Sequence, residues 1–79
     1  MDIKIMGSGC AKCKKLEELT RNVVDELKLQ ADIKKEEDFA TIMEYGIVRT
    51  PALVINDKVV LSGRLPSQGE LRDLLTAKE

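Results

Sequence analysis

The feature that most constrains this chain is the change of hydrophobic period around its only two cysteines, Cys10 and Cys13. Before them, Ile3-Lys4-Ile5-Met6 alternates as a strand does, and Gly7-Ser8-Gly9 then breaks the pattern. After them, from about Cys10 to Lys28, apolar residues recur every three or four positions. Cys13, Leu16, Leu19, Val23 and Leu27 form one stripe, widened by Val24. The opposite face carries Lys14, Lys15, Glu18, Arg21, Asp25 and Lys28 and reads as solvated surface. A strand that turns through glycines into an amphipathic helix leaves few architectures open. Thiols three positions apart at that turn can close and reopen a disulfide.

The rest of the chain extends the pattern. Ala31-Asp32-Ile33-Lys34-Lys35 predicts a second, weaker strand. Asp38 is placed to cap a short helix with Phe39, Ile42 and Met43 as its buried stripe, and Gly46 is placed to stop it. Ile47 to Pro51 is an extended approach to a strand, because the residue before proline avoids the helical region. Ala52-Leu53-Val54-Ile55 is continuously apolar, as suits a strand covered on both faces. Asn56-Asp57 supplies a tight turn into Lys58-Val59-Val60-Leu61, completing a hairpin. After Ser62-Gly63, Ser67 and Glu70 have capping-box spacing at the start of a last helix that buries Leu71, Leu74 and Leu75. The predicted order is β-α-β-α-β-β-α with a parallel first βαβ unit, an α/β sandwich. No repeat, low-complexity run or linker divides it, and 79 residues suit a single domain, residues 1–79, with one core.

Composition narrows the function. Apolar residues at 43% and charged residues at 34% belong to a folded chain, and with Phe39 and Tyr45 the only aromatics the core must be aliphatic. A net charge of −1 argues against a nucleic-acid partner, which calls for a clustered basic excess. No stretch reaches membrane-span length and Met1-Asp2-Ile3-Lys4 lacks the apolar run of a signal peptide. A cytoplasmic monomer without a membrane partner is therefore expected. In that setting a cysteine pair reads as catalytic or metal-binding. A bridge between Cys10 and Cys13 closes too small a loop to constrain the unfolded chain much. The absence of histidine removes every Cys–His nucleophile–base pair and every Cys–His zinc site. No cofactor beyond a redox-active Cys10–Cys13 disulfide, and no resident metal, is expected.

The element order, with Cys10-Ala11-Lys12-Cys13 opening the first helix and Thr50-Pro51-Ala52-Leu53 leading into the third strand, resembles the thioredoxin superfamily. Within it, the chain is similar to the small glutaredoxin-like redox-active disulfide proteins of prokaryotes. The resemblance covers essentially the whole chain and implies a thioredoxin-like fold: a four-stranded mixed sheet flanked by three helices. It also implies a dithiol–disulfide oxidoreductase in electron transfer and cell redox homeostasis. The implied partners are a disulfide-bearing protein substrate and an electron-donating reductase, with glutathione a further candidate. By the same analogy Pro51 is cis and lies against the disulfide, although only about 5% of X–Pro bonds in folded proteins are cis. Thr50 would then offer its backbone to an extended peptide or to glutathione. The motif departs from the Trp-Cys-Gly-Pro-Cys and Cys-Pro-Tyr-Cys of commoner members, since Ala11-Lys12 fill its middle positions.

Helical register makes the two sulfurs unequal. Cys13 falls on the apolar stripe and faces the core. Cys10 precedes the first full turn, where unpaired N–H groups and the helix dipole, roughly half a unit charge, favour a thiolate. Cys10 is thus the expected nucleophile and Cys13 the resolving thiol. Lys12 either supports that thiolate and a substrate or joins Lys14 and Lys15 on a solvated face. Gly7, Ser8 and Gly9 either admit a substrate close to Cys10 or serve only as turn and cap. Met6 belongs to the core, and Tyr45, off the stripe, is half-exposed packing. The competing reading is a soft-metal module holding Cu(I) on Cys10 and Cys13. Small metallochaperones also set C-x-x-C after a first strand, but they run β-α-β-β-α-β and give Thr50-Pro51 no role. A third arrangement is an inter-chain zinc site with two cysteines from each chain.

Overall fold

Alternation along the first strand, β1 (Asp2–Met6), sends Ile3 and Ile5 to one side of a sheet and Lys4 and Met6 to the other. The structure, a computed structural model, describes residues 1–7 and 11–76. After β1 come α1 (Ala11–Glu26), β2 (Asp32–Glu36), α2 (Phe39–Glu44), β3 (Ala52–Ile55), β4 (Lys58–Ser62) and α3 (Gln68–Thr76). The sheet order is β2-β1-β3-β4. β1 runs parallel to β2 and antiparallel to β3, which is antiparallel to β4. This is the mixed four-stranded sheet with three helices, in the order that the sequence predicted.

Two apolar layers enclose the sheet. On one face, Ile3 and Ile5 join Leu53 and Leu61 from β3 and β4, Leu16, Val23 and Val24 from α1, and Leu71 and Leu75 from α3. On the other, Met6, Ala52 and Val54 lie under Ile42 of α2 and Ile47. Ala52, Leu53 and Val54 are all fully buried, so β3 is covered on both sides as its apolar run implied. Each fully buried leucine or isoleucine contributes on the order of 1.5–3 kcal/mol of transfer free energy.

Local chemistry explains the element ends. In α1 the fully buried polar residue is Thr20, whose hydroxyl donates to the Leu16 carbonyl at 2.7 Å, so the group is satisfied without an external partner. Asn56 and Asp57 have φ of 50° and 67°, the positive pair that a tight hairpin turn demands. A register shift beyond them gives β4 one extra residue, a bulge. Gly46, with φ of 76°, donates to the Met43 carbonyl at 2.9 Å and ends α2.

Two expectations need correction. The stripe of Phe39, Ile42 and Met43 is not buried as a unit. Ile42 is buried, but Phe39 is 73% and Met43 55% exposed. The six residues of α2 cover only the small patch over Met6, Ala52 and Val54, and Ile47 fills the remainder. Asp38 occupies the N-cap, but its carboxylate accepts from the Thr41 hydroxyl at 2.9 Å rather than from a helix N–H. At α3 the capping spacing holds: the Ser67 hydroxyl oxygen accepts from the Glu70 N–H at 3.1 Å, and the Glu70 carboxylate, paired mainly with Arg64, also interacts with the Ser67 backbone.

Candidate functional site

Met6 at the end of β1 lies opposite Ala52 at the start of β3. That pairing brings Gly7, which follows β1, to the Thr50-Pro51 segment that precedes β3. Cys13 sits one turn before Leu16 on the inner stripe of α1, and this register buries it to 4% exposure. Its sulfur is in a disulfide. Cys10, together with Ser8 and Gly9, lies outside the described residues.

Gly7 is the hub of the arrangement. A Cβ on it would stand 2.6 Å from the Cys13 Sγ and 3.0 Å from the Thr50 Cβ, and its φ is +131°. Sterics and backbone conformation therefore both require glycine here. Its N–H donates to the Glu36 carbonyl at 2.9 Å, which ties it to the end of β2. The bare Gly7 backbone thus lies between the Cys13 sulfur and Thr50. Sequence reasoning placed Gly7 in the turn but missed this contact, because nothing local to the glycine run reports on Cys13 or Thr50.

Thr50 is exposed and the Thr50–Pro51 bond is cis. Pro51 is fully buried, and its carbonyl accepts from the Gly63 N–H at 2.9 Å, anchoring the segment to the end of β4. Gly63, with φ of +79°, has the side chain of Arg49 over it: a Cβ there would lie 3.3 Å from the Arg49 Cβ. No sequence pattern singled out Arg49 or Gly63. Lys12 is exposed on the first turn of α1, outside the buried stripe. The structure thus joins Cys13, Thr50 and Pro51 through Gly7 and leaves Lys12 on the surface beside them.

Tyr45 packs against the layer formed by Met6, Ile42, Ile47, Ala52 and Val54. Its hydroxyl accepts from Lys4 Nζ at 2.9 Å and donates to Asp57 at 3.3 Å. The Tyr45 hydrogen bond holds the Lys4 ammonium above its usual pKa, with Asp57 adding to the shift. This network fastens the end of α2 to β1 and to the hairpin.

Among the described residues no group of three or more Cys, Asp or Glu side chains converges on a metal-sized site. The observed order β-α-β-α-β-β-α is not the β-α-β-β-α-β of the soft-metal alternative, which disfavours that reading. No described helix is long and apolar enough to cross a membrane.

Comparison with known proteins agrees with this geometry. The family model described as a thioredoxin domain matches residues 1–76. The chain is 34% identical over 76 residues to a thioredoxin of Methanothermobacter thermautotrophicus, covering 96% of this chain and 99% of that protein. It is 37% identical over 73 residues to a thioredoxin of Methanocaldococcus jannaschii, with 92% and 84% covered. It is also 36% identical over 69 residues to a probable thioredoxin of Archaeoglobus fulgidus, with 84% and 75% covered. Matches that run from β1 into α3 account for the whole layered arrangement and not only for the cysteine motif, so the chain belongs to the thioredoxin-domain family.

Proposed function

We propose that this protein is a dithiol–disulfide oxidoreductase acting through Cys10 and Cys13. The observation that carries the reading is Cys13: buried on the first turn of α1, disulfide-bonded, and packed against Gly7 beside Thr50–Pro51, in a chain of the thioredoxin-domain family. In the sequence Cys10 directly precedes Ala11, the first residue of α1, where a helix start favours negative charge.

In the reducing direction the Cys10 thiolate attacks one sulfur of a partner disulfide. The partner's S–S bond breaks, its other sulfur leaves as a thiolate, and a mixed disulfide joins Cys10 to the partner. Cys13 then gives up its proton to water or to the departing thiolate and attacks the Cys10 sulfur. The mixed disulfide breaks and its partner sulfur leaves as a thiolate; with one proton from Cys13 and one from water the partner departs as a dithiol, and Cys10–Cys13 is left oxidised. Two electrons have passed to the partner, and an external dithiol reductase, or glutathione, returns two to the pair. Burial of Cys13 suits the resolving role, because a shielded thiol meets a sulfur delivered to it by Cys10 and is hidden from solvent thiols. Thr50, Pro51 and Lys12 border the place where the partner chain would lie.

The test is reduction of a model protein disulfide by the wild type, Cys10→Ser and Cys13→Ser. Cys10→Ser should fall to the uncatalysed rate, and Cys13→Ser should accumulate a mixed disulfide visible as a mass-shifted adduct that dithiothreitol releases. Equal rates for wild type and Cys10→Ser would sink the mechanism.

A further inference from the structure

Arg49 differs from the other arginines. Arg21, Arg64 and Arg72 pair with Glu17, Glu70 and Glu26. Among the described residues Arg49 is the one arginine with no carboxylate at ion-pair distance. Its side chain is nevertheless held. The Arg49 Cβ, Cδ and Cγ lie 3.3, 3.5 and 4.0 Å from where a Cβ of Gly63 would be, so the methylene stem rests on bare glycine backbone. Gly63 is itself bonded to the Pro51 carbonyl. These contacts hold the stem of an exposed arginine, which directly precedes Thr50–Pro51 in the chain.

The helix that presents Cys13 shows a related anomaly. The first turn of α1 has no acidic residue, although its dipole favours one there. It carries exposed Lys12, Lys14 and Lys15 instead, none in an ion pair among the described residues. Cations at the positive end of a helix oppose its stability, and an arginine seated without a counter-ion adds nothing to the fold by charge. Departures from local preference that gain the fold nothing point to function. The net charge of −1 gives no general attraction for anions, so the effect is confined to this end of the molecule.

We propose that Arg49, with Lys12 and Lys15, forms a cationic rim at the disulfide that selects protein substrates whose own disulfide is flanked by Asp or Glu side chains. The proposal rests on the dithiol–disulfide reading and adds the substrate class. A guanidinium meets a carboxylate through two parallel hydrogen bonds, which orients the partner chain as well as attracting it. The lysines act at longer range, raising the rate of encounter.

The experiment uses two disulfide-bridged peptides of one sequence, with Glu or Lys at the positions flanking the cysteines. One measurement is single-turnover reduction of each by the reduced protein. The other is binding of each, with its cysteines replaced by serine, to the oxidised protein by NMR titration. The Glu peptide should react faster at low salt by about tenfold, and the advantage should shrink in high salt. Arg49→Gln should lower the Glu-to-Lys ratio by about threefold, with Arg49→Lys between the two. Equal binding of both peptides, or a ratio that Arg49→Gln leaves unchanged, overturns the rim. Preferential binding of the Glu peptide without reduction of either supports the rim and removes the oxidoreductase reading. Reduction of both without preference does the opposite.

Discussion

On one face of the sheet, two helices close over Ile3, Ile5, Leu53 and Leu61 with Leu16, Val23, Leu71 and Leu75, all buried. On the other, six-residue α2 contributes Ile42, the following loop contributes Ile47, and Phe39 and Met43 remain in solvent. Both layers hold a part of the site. Cys13 hangs from the thick layer through α1, and Thr50–Pro51 is reached through the thin one. Few buried apolar contacts mean a low free energy of local opening. The site therefore joins a thickly packed wall bearing Cys13 to a more thinly packed, more yielding wall bearing Thr50–Pro51. Gly7 is the point where the walls meet.

Core truncation gives the largest expected effect and the most direct way to break this comparison. Leu16→Ala should lose about 2–5 kcal/mol by urea denaturation, the range for a leucine removed from a close-packed core. Ile42→Ala should cost less than Leu16→Ala, and Phe39→Ser should lie within about 0.5 kcal/mol of wild type. An Ile42→Ala loss as large as that of Leu16→Ala would erase the distinction between layers, and a large loss at Phe39 would restore the buried stripe.

The junction comes next. Gly7→Ala places a methyl against the Cys13 sulfur and forces a non-glycine residue to a positive φ, costing about 1–3 kcal/mol. Cross-peaks of Cys13 and Thr50 in an NMR spectrum should move together in this variant, and movement confined to one wall would show that Gly7 does not join them.

The smallest effect concerns the Arg64–Glu70 pair at the start of α3. Arg64 holds the Glu70 carboxyl below its ordinary pKa, with the Ser67 contact a lesser cause. A carboxyl whose pKa is lowered by folding stabilises above its unfolded pKa, and that contribution is lost as pH falls through the lowered value. Both partners are solvent-screened, so the effect should be slight. Wild type and Glu70→Gln should differ in thermal midpoint at neutral pH and converge in acid, where Glu70 is protonated; a difference that persists in acid would need another cause.

Much of this architecture is legible in one dimension. The strand-to-helix switch around the cysteines, Gly46 after α2, the positive-φ pair Asn56-Asp57 and the Ser67 cap all act within a few residues, so reading them requires no knowledge of the fold. Helical register alone also places Cys13 inward. Thr20 is the instructive miss: its hydroxyl looks polar in the sequence but is satisfied by its own helix, so it is buried beside a stripe from which its residue type had left it out. The site was legible in part. The cysteine motif and Thr50-Pro51 stood out by residue type, whereas Gly7 and Arg49 did not.

The sequence by itself determined the order and kind of the elements, because hydrophobic period, caps and turn residues exert their effects over a turn or two of chain. Only the tertiary structure decided which residues of α2 are covered, that Gly7 separates the Cys13 sulfur from Thr50, and that Arg49 rests on Gly63 without a counter-ion among the described residues. Those outcomes depend on how much floor a short helix finds and on approaches between segments distant in sequence. Close packing imposes such constraints through space, where residue type and spacing carry no signal.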